Sequence, residues 1–243
     1  MKTEKAYKLL SIQEGISNRS AKDLIDKGVV YVGNKKVKIA RADMKIDTKF
    51  KIKKIEKIKK IFEDDNIVAV DKPAFLTSEE VAKKLKYPLL NRLDKETSGV
   101  VLLYKSEDFR EKAIEEFKKH RVLKEYVAWV EGRIAEEIEI NSPILTLKNK
   151  KGKAYSKISH EGKEAITFIE PILIEGNKSK IKATIKTGRT HQIRVHLKSI
   201  GHPIIGDEQY GGKPAHRIML HSSKIKLLEY EFISNEPETF ENP

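Results

Sequence analysis

Residues 100–104, Val-Val-Leu-Leu-Tyr, form an apolar run that is too short to span a membrane. Such a run reads as a buried strand, because successive strand positions point to opposite faces and all of them here avoid water. "NIVAVDKP", stopped by Pro73, reads the same way. Helix and strand signals alternate irregularly around these two strands. "EEVAKKLKY" spells a short helix, and Ser106 caps another with an acidic first turn (Glu107, Asp108) and an inner stripe of Phe109, Ala113 and Phe117. "EYVAWVEG" is a strand ended by Gly132, and "AITFIEPILI" pairs with "KIKATIKTG" through "EGNKS". "THQIRVHLKSIG" reads as a helix between a Thr190 cap and a terminating Gly201, with Ile193, Leu197 and Ile200 turned inward. This order lacks strict β-α-β repetition, so the expected fold is α+β, a mixed, mostly antiparallel sheet flanked by helices.

The first 60 residues have a different character. They carry 18 Lys and Arg against 7 Asp and Glu, a net +11, whereas residues 61–243 carry 31 against 29, a net +2. Two short helices at 5–13 and 18–27, the second from an Asn18 cap to Gly28, precede the short strands "VVYV", "VKIA" and "KFKIKKI", with "GNKK" as a turn. These features define a small α+β module over residues 1–55, a charged linker over 56–61 and a larger body over 62–243. A basic module joined to a near-neutral body points to one part that holds a polyanion and another that acts on it; a solubilising surface is the alternative. The chain has no cysteine, which excludes disulfides, thiolate metal sites and cysteine nucleophiles and fits a reducing cytoplasm. No stretch has the length and apolarity of a membrane helix or a secretory leader.

"NRLDKETSG" places Arg92, Asp94, Thr97 and Ser98 at the mouth of the 100–104 strand. A carboxylate there loses solvation and calls for a cation. Arg92 would share its side only in an extended chain, and "DKETSG" is turn chemistry. Either an arginine from elsewhere meets Asp94, or Asp94, Thr97 and Ser98 simply satisfy a turn. The second polar cluster is "TIKTGRTHQIRVHLKSIGHPIIGDEQYGG", where Arg189, His191, Gln192 and Arg194 surround a helix start whose amides favour anions. Arg194 lies ~100° around the helix from Ile193, so it can lean into a cleft toward a carboxylate or form a structural salt bridge. His191 and His196 are ~140° apart on a helix, which argues against a metal pair.

Together these residues resemble the RluA-type RNA pseudouridine synthases. "RLDKETSG" is similar to that family's catalytic motif, and "TGRTHQIRVHLKSIGHPIIGDEQYGG" to its long second signature. "KEYVAWVEG", "EGKEAITFIEPI" and "RIMLHSSKIKL" follow in the family's order, so the resemblance covers roughly residues 61–234. Residues 1–55 are similar to the S-four-like RNA-binding domain that often precedes such bodies.

The resemblance implies an isomerase that detaches uracil from ribose, turns it and rejoins it through carbon 5. It implies Asp94 as nucleophile, Arg194 as the partner that keeps it ionised, and Tyr126 against the uracil. It further implies Arg92 filling the space of a flipped nucleotide, Leu220 beneath the base, and structured RNA (ribosomal or transfer) as the partner. Arg189, His191 and Gln192 are expected to touch the substrate. No cofactor, metal or membrane is expected; no protein partner is indicated, and a monomer fits. Two positions depart from the family: Asn91 stands where histidine is usual, and Phe75 where glycine is common. Two other readings remain, a non-catalytic RNA-binding protein with this fold, and a glycoside hydrolase drawing its acids from Asp94, Glu96, Asp207 and Glu208.

Overall fold

A computed structural model describes residues 2–33, 35–148 and 154–240. The chain divides into two compact units, Met1–Lys57 and Ile58–Pro243.

The first unit contains strand β1 (Thr3–Lys5), helices α1 (Ala6–Glu14) and α2 (Asn18–Lys27), and strands β2 (Val30–Val32), β3 (Lys35–Lys36), β4 (Asp43–Lys45) and β5 (Lys51–Ile52). Ala6, Leu10, Ala21, Ile25, Val29, Val30, Val37 and Phe50 are its buried apolar residues. The Gln13 amide clips the Phe50 backbone at both ends, donating to its carbonyl at 2.8 Å and accepting its N–H at 2.9 Å. The cap of α2 is Ser17 rather than the expected Asn18, because the Ser17 hydroxyl accepts the Ser20 N–H at 3.1 Å and Asn18 is already helical. The expected strand "VKIA" is also displaced: pairing with β2 is made by Lys35–Lys36, and Ile39 is exposed. The "GNKK" turn includes Asn34, which lies outside the described residues.

The second unit is built on a nine-stranded sheet. Its elements are β6 (Lys59–Glu63), β7 (Ile67–Lys72), α3 (Ser78–Leu85), β8 (Ser98–Tyr104), α4 (Glu107–Lys118), β9 (Leu123–Glu131), β10 (Ile138–Asn141), β11 (Ile144–Lys148), β12 (Ala154–Ile158), β13 (Ile166–Glu175), β14 (Lys178–Ile185), α5 (Gln192–Ser199), β15 (Leu220–Leu227) and β16 (Tyr230–Ile233). The sheet order is β10-β13-β14-β9-β15-β8-β7-β6, with β16 also on β15; β11 and β12 form a separate hairpin. Every pairing in the large sheet is antiparallel except β8 with β15. The residues expected as a linker include the start of edge strand β6, whose lysines face water while it pairs with β7.

The unbroken apolar runs have a physical explanation in the two covers of the sheet. Ile67, Ala69, Val100 and Leu102 join Phe109 and Ala113 of α4 in one core cluster. Their neighbours Val68, Val70, Val101 and Leu103 join Val81 of α3 in another. Helices cover both faces of β7 and β8, so neither strand can alternate with polar residues. Ser106 caps α4 as its sequence predicts, accepting the Phe109 N–H at 3.3 Å. Among the described residues, no helix is long and apolar enough to cross a membrane.

The β8/β15 seam depends on Gly99. Its φ is +112°, and a Cβ there would lie 2.1 Å from the Ser222 carbonyl oxygen. Gly99→Ala should therefore force the two strands apart and cost about 3 kcal/mol or more. Urea unfolding of the two proteins measures the difference.

Candidate active site

Arg194 is the hub of the site. Helix α5 packs Ile193 and Leu197 into the main core cluster with β9, β13 and β14, which turns the neighbouring Arg194 inward until only 3% of its side chain is exposed. Its Nη1 donates to Asp94 Oδ2 at 2.9 Å. Its Nε and Nη2 donate to Asp207 Oδ2 and Oδ1 at 2.6 and 2.9 Å. Burial alone would favour the neutral guanidine, but the Asp207 hydrogen bonds and the charges of both carboxylates outweigh it, and the pKa rises. Arg194 is thus a permanent cation held between two acids from segments far apart in sequence.

Each acid is fixed by local structure. The Asp94 carbonyl accepts the Thr97 N–H at 3.1 Å, which closes the turn that "DKETSG" predicts. From one side, Ser78 at the start of α3 exchanges two hydrogen bonds with the Leu93 backbone. From the other, the buried Lys72 Nζ donates to the carbonyls of Pro73, Leu76 and Lys95 at 3.2, 2.7 and 3.3 Å. The Ser98 hydroxyl is engaged with His221 and Arg217. Asp207 lies in a tight loop opened by Gly206, whose φ is +86° and where a Cβ would stand 1.8 Å from the Arg217 carbonyl oxygen. Both departures in the Asp94 region have structural roles. Phe75 is buried at φ +73°, where glycine fits without strain, and its N–H bonds the Lys95 carbonyl at 2.8 Å. The Asn91 side-chain oxygen accepts the Leu102 N–H at 2.7 Å and ties its segment to β8.

The eight residues expected at the site, Arg92, Asp94, Tyr126, Arg189, His191, Gln192, Arg194 and Leu220, line one cleft. Its floor follows from register, because directly paired residues share a face. Tyr126 lies opposite Ala183 and Ser222, and Leu220 opposite Ala128, so small residues leave room beside the ring. Tyr126 is buried, and burial pushes its hydroxyl pKa up to about 12. It is a neutral phenol at physiological pH. Arg92 stands at the exposed rim, 3.5 Å from Glu79, a surface pair that contributes little. Arg189 donates its Nε to the Glu164 carbonyl at 2.9 Å.

Gln192 lines the cleft, but its amide is committed to the protein. Its oxygen accepts the Thr187 hydroxyl and the Arg189 N–H, and its nitrogen donates to the Ile166 carbonyl and the Thr167 hydroxyl. It braces the 187–192 loop, with no donor or acceptor left for a ligand. Thr190 is not the cap of α5; His191 occupies that position at φ +55° without a side-chain cap bond. This backbone turn swings the imidazole toward Asp94, with Nε2 3.7 Å from Asp94 Oδ2. Burial, aided by Arg194, lowers the His191 pKa. His196 is spent on the Thr167 hydroxyl and the Ser142 carbonyl, and among the described residues no cluster of three or more His, Asp or Glu could hold a metal.

Sequence reasoning gave no place in this arrangement to three residues central to it: Asp207, Lys72 and Tyr210. A signal for Asp207 was present, because an arginine on the flank of a buried helical stripe requires more compensation than one carboxylate at a cleft mouth supplies. Tyr210 packs its ring under Arg194 at 5.0 Å from the guanidinium carbon.

The cleft combines one carboxylate with an unshared oxygen, a fixed cation, a buried aromatic ring and a basic rim. Such an arrangement has the chemistry to hold a planar ligand attached to an anionic backbone. Residues 66–199 match the family model described as RNA pseudouridylate synthase. Two strains of Helicobacter pylori have an "Uncharacterized RNA pseudouridine synthase" that is 54% identical over 98% of this chain and 99% of that protein. The "Ribosomal large subunit pseudouridine synthase C" of Rickettsia felis is 37% identical over 71% of this chain and 63% of its own length. Among solved structures, human RNA Pseudouridylate Synthase Domain Containing 1 superposes with a TM-score of 0.64 at 25% identity, covering 75% of this chain and 84% of that one. The chain belongs to the RluA-type RNA pseudouridine synthases, a family of isomerases.

Lys72 carries a pH signature. Burial lowers its pKa from 10.5 to about 7. Between those two values the unfolded chain holds a proton that the folded chain has lost, so this group makes stability rise with pH. Lys72→Met removes that contribution. Urea unfolding between pH 7 and 10 should show the stability difference moving steadily in favour of the wild type as pH rises.

Proposed function

We propose that this protein converts specific uridines of structured RNA to pseudouridine, with Asp94 as the nucleophile and an extruded uridine in the cleft. The contact between Arg194 and Asp94 carries the reading, because a guanidinium stabilises the charge of a carboxylate that must attack the ribose or the uracil ring. The reaction breaks the bond from ribose C1′ to N1, turns the uracil, forms a bond from C1′ to C5, releases the C5 proton to solvent and supplies a proton to N1, and the bond that Asp94 makes on the way is broken again to free the carboxylate. Atoms balance without a redox partner. Tyr126 offers a face on which the uracil stacks, an interaction worth ~1–3 kcal/mol per base. With its pKa raised to about 12, its hydroxyl is suited to donating a hydrogen bond rather than to abstracting the C5 proton. Leu220 supplies apolar surface beside the ring, and Arg92 at the rim offsets part of the few kcal/mol needed to flip a base.

Ribosomal RNA is the favoured substrate, on the strength of relatives named for the large ribosomal subunit. The basic first unit is proposed to be an S-four-like module that holds RNA by phosphate contacts. A glycoside hydrolase would use two carboxylates facing the ligand. Asp207 does not qualify, because it is buried and both its oxygens are bonded to Arg194.

Incubation with RNA labelled with tritium at uridine carbon 5 tests the chemistry. The wild type should release tritium into water, and Asp94→Ala should lose at least ~10³-fold in rate, on the scale seen when a covalent nucleophile is removed, while still binding RNA. Equal release by the variant rejects Asp94, and binding without release by the wild type supports a non-catalytic protein. A separate titration tests the first unit. Replacing Lys35, Lys36 and Lys38 with Gln should weaken RNA binding and flatten its salt dependence by about 0.7 log units per log salt for each phosphate that is no longer neutralised. Turnover at saturating RNA should be unchanged.

A further inference from the structure

The hydrogen bonds behind Asp94 distinguish its two oxygens. Arg194 Nη1 and His191 Nε2 both approach Oδ2, at 2.9 and 3.7 Å, whereas Oδ1 has no protein hydrogen bond among the described residues. What His191 does there depends on which ring nitrogen carries the proton. Its Nδ1 lies 2.8 Å from the Tyr210 hydroxyl. That hydroxyl oxygen already accepts the Ser156 N–H of β12 at 2.9 Å. If Nδ1 carried the proton, it would donate to Tyr210, and the phenolic hydrogen would have no acceptor among the described residues. Only one arrangement satisfies all three groups. Ser156 N–H donates to Tyr210, Tyr210 O–H donates to Nδ1, and the ring hydrogen sits on Nε2, facing Asp94.

We propose that Tyr210 holds His191 in its Nε2–H form as a positioning residue for Asp94. The imidazole and Arg194 together engage Oδ2, which leaves Oδ1 as the attacking oxygen. This inference rests on the pseudouridine synthase reading and deepens it. The 3.7 Å separation exceeds a hydrogen bond and closes when a bound uridine excludes water from the cleft, since catalytic hydrogen bonds commonly tighten in the complex. The groups that face the imidazole are Asp94 and Glu96 from the loop before β8, Arg194 from its own helix, and Asp207 and Tyr210 from the following loop. Tyr155 of β12 stacks on Tyr210 at 5.6 Å and keeps that ring in place. A second proton on His191 would turn a neutral donor into a competing cation and draw charge from the nucleophile, so turnover should fall as pH falls through its titration.

Nitrogen NMR of the full-length protein labelled at histidine nitrogen tests the proton's position without turnover. At about pH 7.5, roughly one unit above the free imidazole value, His191 should show a bare Nδ1 and a protonated Nε2. Tyr210→Phe should convert it to a mixture of the two forms. In the tritium assay the same variant should lose about two- to tenfold in kcat, as expected when one neutral hydrogen bond is removed, with KM unchanged and its acid limb displaced. His191→Gln, whose amide reaches the Nε2 position, should retain more kcat than His191→Leu, which keeps the inference testable if Tyr210→Phe fails to fold. A wild-type spectrum with the proton on Nδ1, or equal kcat in all three variants, would overturn the inference. Absence of tritium release from the wild type would instead reject the functional reading, and the spectrum would still decide the hydrogen-bond assignment.

Discussion

A nearly buried guanidinium must find compensating charge, and the way Arg194 does so organises everything near it. Asp207 takes the Nε and Nη2 edge, and Nη1 is left to meet Asp94. Removing one partner of such a pair costs about 3–5 kcal/mol, because the remaining charge stays buried without compensation. The three segments involved, the loop before β8, helix α5 and the loop opened by Gly206, are therefore bound to one another energetically. The double grip also orients the guanidinium plane, which lysine, as a point charge, could not do.

Much of this architecture was readable in advance wherever a local rule and the tertiary environment agree. Val100–Tyr104 and Ile67–Val70 announced central strands because helices cover both faces of the sheet there. Ser106 announced α4 because its hydroxyl does cap that helix. Reading failed where tertiary structure overrode the local signal. Lys59 and Lys60 looked like linker because an edge strand can expose its side chains while its backbone pairs with β7. Thr190 looked like a helix cap, yet the left-handed turn at His191 places the start one residue later.

The site divides in a similar way. Spacing around α5 pointed Arg194 toward a carboxylate, and the structure brings it to Asp94 across 100 residues of sequence. Composition could not reveal that the Gln192 amide is consumed by its own loop and by β13, since an amide beside an anion-favouring helix start has the same signature whether it faces ligand or protein. Lys72 was hidden for a related reason. A lysine next to a proline gives no hint that it will be buried against three carbonyls from neighbouring turns.

The seam between β8 and β15 has a consequence for the order in which the protein is made. Ser98 and His221 meet there across 123 residues, so this closure joins parts of the chain that leave the ribosome far apart in time. A nascent chain that ends before Leu220 already contains Asp94, Tyr126 and Arg194, but it lacks the strand that seats β8 and completes the floor of the cleft. Competence of this fold is therefore tied to synthesis of β15, and products truncated before it carry Asp94 without the strand that completes its enclosure.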